Sequence, residues 1–323
     1  MSLLRTALRS SPRVLGRRFA STAPEQKSSN LPLYFIGAGV AGAGAYYYLE
    51  KNTPPPKPKQ EKSPLDPENW KDFKLKKIIP YNHNTSKFVF ELPNDEASLL
   101  PVASCLVVKS SDPEALLNDK GKPIVRPYTP ISPPDQPGEL TFLIKKYETG
   151  NASKYIHALK EGETLALKGP IPKFPYKENE FDQVALIGGG SGITPLYQLL
   201  THALQSPTDK TKFTLLFSNV TEKDILLRQE LDALKKQYGD KFDLVYLVDK
   251  PSEGWSGPSG FINADIIKKY VGSPDLKEKV KIFVCGPPGQ VNSLAGKKQG
   301  PNQGELAGIL KELGYTQDQV FKF

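Results

Sequence analysis

The sequence predicts an antiparallel β-barrel over residues 66–170 followed by an α/β parallel-sheet domain over residues 182–323, behind an N-terminal presequence and a single transmembrane helix. Three observations carry this. Between residues 66 and 170, short runs alternate apolar and polar residues, as in Lys87-Phe88-Val89-Phe90-Glu91-Leu92, and turn-forming residues separate them. A period of two with frequent turns is the signature of antiparallel strands. After residue 182 the rhythm becomes short apolar runs alternating with helical patterns, which argues for a parallel sheet covered on both faces. Between the two, Gly169, Pro170, Pro172 and Pro175 punctuate the approach to a hinge over residues 171–181.

At the amino end, residues 1–24 hold five arginines and no acid. Leu4 and Leu8 fall on one helical face and Arg5 and Arg9 on another, the pattern of a mitochondrial presequence. Arginines interrupt every apolar run, which argues against a secretory signal. Residues 31–49 carry no charge. As a helix they would span about 28 Å, close to the thickness of the hydrocarbon core. Tyr46, Tyr47 and Tyr48 would form an aromatic belt at one interface. Gly37, Gly39, Gly42 and Gly44 lower the hydrophobicity and offer a small-residue face. The expectation is a single-pass protein of the mitochondrial outer membrane, with a second form cut after the anchor and released to the intermembrane space. Residues 50–65 form a proline- and lysine-rich linker that holds the folded body off the membrane.

In the barrel, strands are expected at 73–81, 85–92, 106–110, 124–129, 140–147 and 164–168, with one helix at 152–160. In the second domain, strands at 184–187, 213–219, 242–248 and 282–285 alternate with helices at 194–205, 225–238, 264–270 and 304–313.

Composition narrows the chemistry. Two cysteines, Cys105 and Cys285, cannot hold an iron–sulfur cluster or build a disulfide framework. Three histidines make a haem or metal site improbable, so no metal is expected. Redox chemistry would need an organic cofactor and a separate acceptor. The net charge is +8, but five of those charges sit in the presequence. The remainder gives no case for nucleic acid, and the catalytic body is expected to be a monomer.

The central motif is Arg126-Pro127-Tyr128-Thr129-Pro130, whose chemistry suits a flavin. Arg126 offers a permanent cation and a fork of donors for a phosphate. Pro127 fixes the backbone before Tyr128, whose ring could lie flat on an isoalloxazine. Thr129 adds a hydroxyl beside the ring. Gly150-Asn151-Ala152-Ser153 opens a helix, where backbone N–H groups and the Ser153 hydroxyl could bind a pyrophosphate. Gly188-Gly189-Gly190-Ser191-Gly192 follows a strand and opens a helix, the context of a phosphate-binding turn, although its glycine spacing is not the dinucleotide fingerprint. Asp209, the acid about 20 residues on, sits in a loop before a strand rather than at a strand end. Cys285-Gly286-Pro287-Pro288 ends the last apolar strand, and no basic partner lies near Cys285 in sequence to make it a nucleophile.

Together with the run Gly188–Pro195, the segment 218–228 and the carboxy-terminal tail, these motifs resemble the NADH–cytochrome b5 reductases. They come closest to the mitochondrial, fungal-type branch of that ferredoxin-reductase-like group. The resemblance implies FAD in the barrel, NADH in the second domain and cytochrome b5 or a similar haem protein as acceptor. It places Ile144, Lys145 and Tyr147 on the strand behind the flavin, with Lys145 assisting NADH, and Thr194 beside the FAD. It sets Asp249, Phe261, Cys285, Gly286, Pro287 and Pro288 against the NADH, with Asp249 disfavouring NADPH. Thr129 and Cys285 would flank the reacting ring. The chain departs from microsomal-type members at Ala103-Ser104-Cys105 and at Gly150-Asn151-Ala152, so side-chain contacts there do not carry over. A quinone reductase and a membrane-tethered NADH-binding module without turnover remain as alternatives.

Overall fold

The computed structural model describes residues 62–323. The expected presequence, the anchor and nearly all of the linker lie outside the described residues. Among the described residues, no helix is long and apolar enough to cross a membrane.

The first half forms six antiparallel strands: β1 (Lys71–Pro80), β2 (Thr85–Glu91), β3 (Ser104–Ser110), β4 (Arg126–Tyr128), β5 (Glu139–Lys145) and β6 (Thr164–Pro172). Their order is β4-β3-β6-β1-β2-β5. Alternate side chains turn inward to one core, where Phe88, Phe90, Phe142 and Leu140 are fully buried. The ladder leaves β4 and β5 as its two ends. The chain just beyond β4 closes the seam, because Ile131 N–H donates to Thr141 O of β5 at 2.9 Å. The Tyr128 ring also meets Phe142 edge-on with centroids 6.2 Å apart. Helix α1 (Asn151–Ala158) covers one end and buries Ile156.

The second half is a five-stranded parallel sheet, built from β7 (Gln183–Gly189), β8 (Lys212–Asn219), β9 (Phe242–Val248), β10 (Val280–Cys285) and β11 (Val320–Lys322). The order is β11-β10-β7-β8-β9, so the winding reverses between β7 and β10. On one face α2 (Ile193–Gln205) and α3 (Arg228–Gln237) pack on Phe213, Leu215 and Phe217. On the other, α4 (Ala264–Tyr270), α5 (Pro288–Ala295) and α6 (Gly308–Glu312) pack on Leu216 and Leu247.

Several expected elements differ in extent. The helix expected at 225–238 begins at Arg228, because Leu227 takes a left-handed conformation (φ 55) and Glu222–Asp224 winds into a separate short turn. The helix expected at 304–313 shrinks to α6, since Gly304 and Gly308 both have positive φ (65 and 69). The expected strand at 164–168 runs on to Pro172, into the expected hinge. Helix α5 and strand β11 were not expected.

The two halves are joined by packing and by charge. Leu143 of β5 belongs to the same core as Leu196 of α2 and Phe283 of β10. Across the junction Lys87 Nζ meets Glu230 Oε1 at 3.1 Å and Lys145 Nζ meets Asp224 Oδ1 at 3.0 Å.

Candidate active site

In an open parallel sheet, ligands bind outside the carboxyl ends of the strands where the winding reverses. Here that place is the junction of β7 and β10, where Gly188 pairs with Cys285. The turn after β7 runs against the end of β10. A Cβ on Gly192 would overlap the Cys285 carbonyl, which is why glycine stands there. Gly190 takes a positive φ of 51 and completes the turn into α2.

A cavity of about 480 Å³ opens in front of this junction, between the two halves. The barrel contributes Pro127, Tyr128 and Thr129 on one side and Ile144, Lys145 and Tyr147 on another. The second half contributes Ser191, Gly192, Thr194 and the run Cys285–Pro288. Burial pushes the Tyr128 hydroxyl up to about 12, with the Arg126 charge pulling the other way, so its ring forms a neutral wall. Burial likewise pushes the Cys285 thiol up to about 12, against the opposing pull of Lys298. A thiol held in that form packs as a small apolar group and does not attack as a nucleophile. His157 Nε2 lies 2.9 Å from Ile144 O and braces the end of β5 from behind.

Two contacts span the cleft beside this cavity. Tyr147 Oη and Ser191 Oγ are 2.6 Å apart. The Lys145–Asp224 pair is well shielded, with side chains 16% and 10% exposed. Burial disfavours charge on Asp224, but hydrogen bonds from Thr221 and Lys145 and the Lys145 charge outweigh it, holding the carboxyl below its ordinary pKa.

A second cavity of about 500 Å³ adjoins the first and shares Lys145, Tyr147 and Pro287 with it. Its wall includes Gly189, Gly190, Asp249 and Phe261. Asp249 follows β9, where its N–H donates to Asn219 O at 3.0 Å. Burial raises its carboxyl above the usual range, against the pull of Lys250. Phe261 is 81% exposed, an unusual state for so large an apolar side chain.

Other candidates stand off these walls. Arg126 is exposed, and its Nη1 donates to Val125 O at 2.8 Å. Gly150, Asn151, Ala152 and Ser153 form the start of α1, beyond the first cavity. The Ser153 hydroxyl is committed locally: it accepts from Tyr147 N–H at 3.1 Å and donates to Gly150 O at 2.9 Å. What α1 presents outward is its first backbone N–H groups. Gly188 lies under the turn, its carbonyl accepting from Ser218 Oγ and Gln290 Nε2. Asp209 is buried against Tyr176 Oη at 2.6 Å and is a structural acid.

Sequence reasoning missed several residues on these walls. Cys105, Lys173 and Lys298 line the first cavity; Phe323, which the resemblance sets near the flavin, lines it too. Asn219 and Gln290 line the second. A register shift between Cys105 and Val107 accompanies the first of these, a common device for aiming a side chain at a site. The sequence held no comparable signal for Lys173 or Lys298.

Residues 72–176 match the family model of the oxidoreductase FAD-binding domain, and residues 186–295 that of the oxidoreductase NAD-binding domain. A relative named NADH-cytochrome b5 reductase 2, from Mycosarcoma maydis, is 44% identical across 99% of this chain and 96% of its own length. Another of that name, from Coccidioides immitis, is 43% identical over 95% of each chain. The chain belongs to the NADH-cytochrome b5 reductase family. Among solved structures, the cytochrome b5 reductase domain of Ulva prolifera nitrate reductase superposes on this family member with a TM-score of 0.70 at 28% identity. The superposition covers 81% of this chain and 100% of that one.

The first cavity suits the flavin of FAD. It offers a neutral aromatic wall at Tyr128, an apolar floor at Leu143 and Ile144, and a close-running glycine turn opposite. Its volume falls within the range of cofactor sites.

Proposed function

We propose that this chain is an NADH-dependent flavoprotein reductase that passes electrons through FAD to cytochrome b5 or a similar haem protein. The observation that carries the reading is the meeting of two cavities at Lys145, Tyr147 and Pro287, in front of the β7–β10 junction. One has the chemistry of a flavin site and the other that of an adenosine site. A dinucleotide laid along both would bring its nicotinamide end to the flavin. Bound FAD supplies hydride acceptance and release of electrons one at a time, which a two-electron donor needs to serve a one-electron acceptor.

The chain's own residues bind and orient. Tyr128 and Thr129 hold one side of the ring site, while Cys285 and Gly286 form the opposing wall against which the nicotinamide packs. Lys145 places a cation at the passage between the cavities. Arg126 and the backbone N–H groups of α1 hold the phosphates of FAD. Arg126→Ala should therefore yield a protein that loses FAD on dilution, because a charge-assisted pair contributes about 2–3 kcal/mol.

The catalytic body acts as a monomer on the mitochondrial outer membrane, anchored by residues 31–49. The basic presequence and the uncharged stretch behind it support this placement. Alkaline extraction and amino-terminal sequencing of mitochondrial fractions test it; a protein found wholly in the cytosol ends it.

The purified protein should show flavin absorbance, release FAD on heating, and reduce soluble cytochrome b5 with NADH faster than it reduces a quinone. Absence of flavin, or FMN in its place, refutes the assignment. A faster quinone rate moves the acceptor to the quinone class.

A further inference from the structure

Lys173 and Lys298 bring two positive charges to the wall of the first cavity, one from each half of the molecule. Lys173 follows β6, and its N–H donates to Ala103 O at 2.9 Å. Lys298 belongs to the loop between α5 and α6, which is closed at its neck. Lys322, only 2% exposed, donates from Nζ to Ala295 O at 3.1 Å and to Glu305 O at 3.2 Å. Next to Lys298, Gln299 and Asn302 exchange backbone hydrogen bonds at 3.1 and 3.0 Å. A loop pinned in both places fixes where Lys298 leaves the backbone.

Nothing in the protein balances these two charges. Among the described residues neither lysine forms an ion pair, and no carboxylate lines the cavity. The third cation of the wall, Lys145, is already paired with Asp224. Burial, followed by the Lys173 charge, holds the Lys298 ammonium below its ordinary pKa. Like charges set close together and partly out of water destabilise one another, and a negative charge in the cavity would relieve both.

The cofactor supplies that charge in only one of its states. The oxidised flavin ring is neutral. On taking a hydride from NADH, two electrons and one proton, the ring becomes an anion and the dinucleotide leaves as NAD+. Neither lysine borders the second cavity, so the pair serves the ring site and not the adenosine end of the dinucleotide. An opposite charge favours the charged form of a neighbouring group, and here the charged form is the reduced ring.

We propose that Lys173 and Lys298 form a cationic wall that stabilises the negative charge of the reduced ring and so raises the flavin's midpoint potential, a role that rests on the FAD reading above.

The test is a potentiometric titration of the full-length, FAD-loaded protein, with flavin absorbance read against a reference dye. Lys298→Met should lower the ratio of affinities for reduced and oxidised FAD by roughly tenfold. For a two-electron couple that is a fall of about 30 mV in midpoint. Adding Lys173→Met should deepen the fall. Lys298→Arg, which keeps the charge, should hold most of the wild-type potential. Raising the salt concentration should shrink the difference between wild type and the double variant. Should Lys298→Met fold poorly, Lys173→Met alone carries the test, since that residue is exposed; it should shift the midpoint the same way.

An unchanged midpoint in a double variant that still holds FAD overturns the proposal. If a raised KM for cytochrome b5 accompanies it, the lysines meet the acceptor rather than the ring. A fall as large in Lys298→Arg as in Lys298→Met also overturns it, the loss then being one of packing and not of charge. A wild type that binds no flavin removes the FAD reading itself, whereas a bound flavin whose potential ignores both lysines leaves that reading standing.

Discussion

At the scale of single residues, Asp249 and Cys285 show how burial sets chemistry. Asp249 carries a carboxylate that burial makes uncomfortable, so ribose hydroxyls that donate to it relieve a cost. The extra phosphate of NADPH would do the reverse. Two unit charges 4 Å apart interact by about 4 kcal/mol at an effective dielectric of 20, and screening in an open cleft reduces this to about 1–3 kcal/mol. Asp249→Ala should therefore narrow the NADH:NADPH ratio of kcat/KM by roughly ten- to a hundredfold. Steady-state rates at one ionic strength check this, and an unchanged ratio would take Asp249 out of cofactor choice. Cys285, with its thiol pushed up to about 12, should remain protonated through neutral and mildly basic pH. Iodoacetamide at about pH 8 should then label it far more slowly than free cysteine, whose pKa is about 8.5. Mass spectrometry of timed samples reads the rate; fast labelling would mean that the thiol is ionised and exposed.

At the scale of elements, the short turn Glu222–Asp224 is the fastening between the halves. Thr221 caps it, donating from N–H at 3.1 Å and from Oγ1 at 2.7 Å to Asp224 Oδ2. The other carboxylate oxygen takes Lys145. Removing the acid leaves a shielded ammonium and a turn without its cap. Asp224→Ala should lower stability by about 1.5–3 kcal/mol, as measured by urea unfolding at neutral pH. The pH dependence follows from the lowered carboxyl pKa. Above the unfolded value, near 3.8, the stabilisation is fully present. It is lost as pH falls below that value and through the lower folded one. In Asp224→Ala this part of the acid slope should vanish; an unchanged slope would show that Asp224 is not the group responsible.

At the scale of the whole molecule, barrel and α/β sheet share one core. Leu143 packs with Leu196 and Phe283, and Ile131, Phe174 and Phe323 extend the contact. Apolar burial across the junction couples the halves, so they should unfold together. The two tryptophans report on it independently, Trp70 from the barrel side and Trp255 from the α/β side. Urea transitions of Trp70→Phe and Trp255→Phe, followed by fluorescence of the remaining tryptophan, should coincide. Separate midpoints would mean that each half unfolds alone. FAD at about a hundred times its Kd should move both transitions together by about 2.7 kcal/mol, because it binds only the folded chain.

Much of this was legible in the sequence because it rests on local rules. Alternation marked β1, β2 and β5, and the glycine run and Cys285-Gly286-Pro287-Pro288 stood at the strand ends where they meet in space. Asp249 and Phe261 were reached by resemblance, and both line the second cavity. Helix α5 was missed although Pro288 at its first turn is a start signal, since the proline pair read as the end of a strand motif. Strand β11, three residues long, exists only because β10 offers it an edge. What tertiary structure alone decided is which groups meet across the cleft. Lys145 and Asp224 are 79 residues apart, and Tyr147 and Ser191 are 44 apart. Periodicity and capping are properties of neighbours in the chain, and a single sequence displays them directly. A partner across the cleft is set by the packing of distant segments, and the pairing comes into being only when the two halves close on each other.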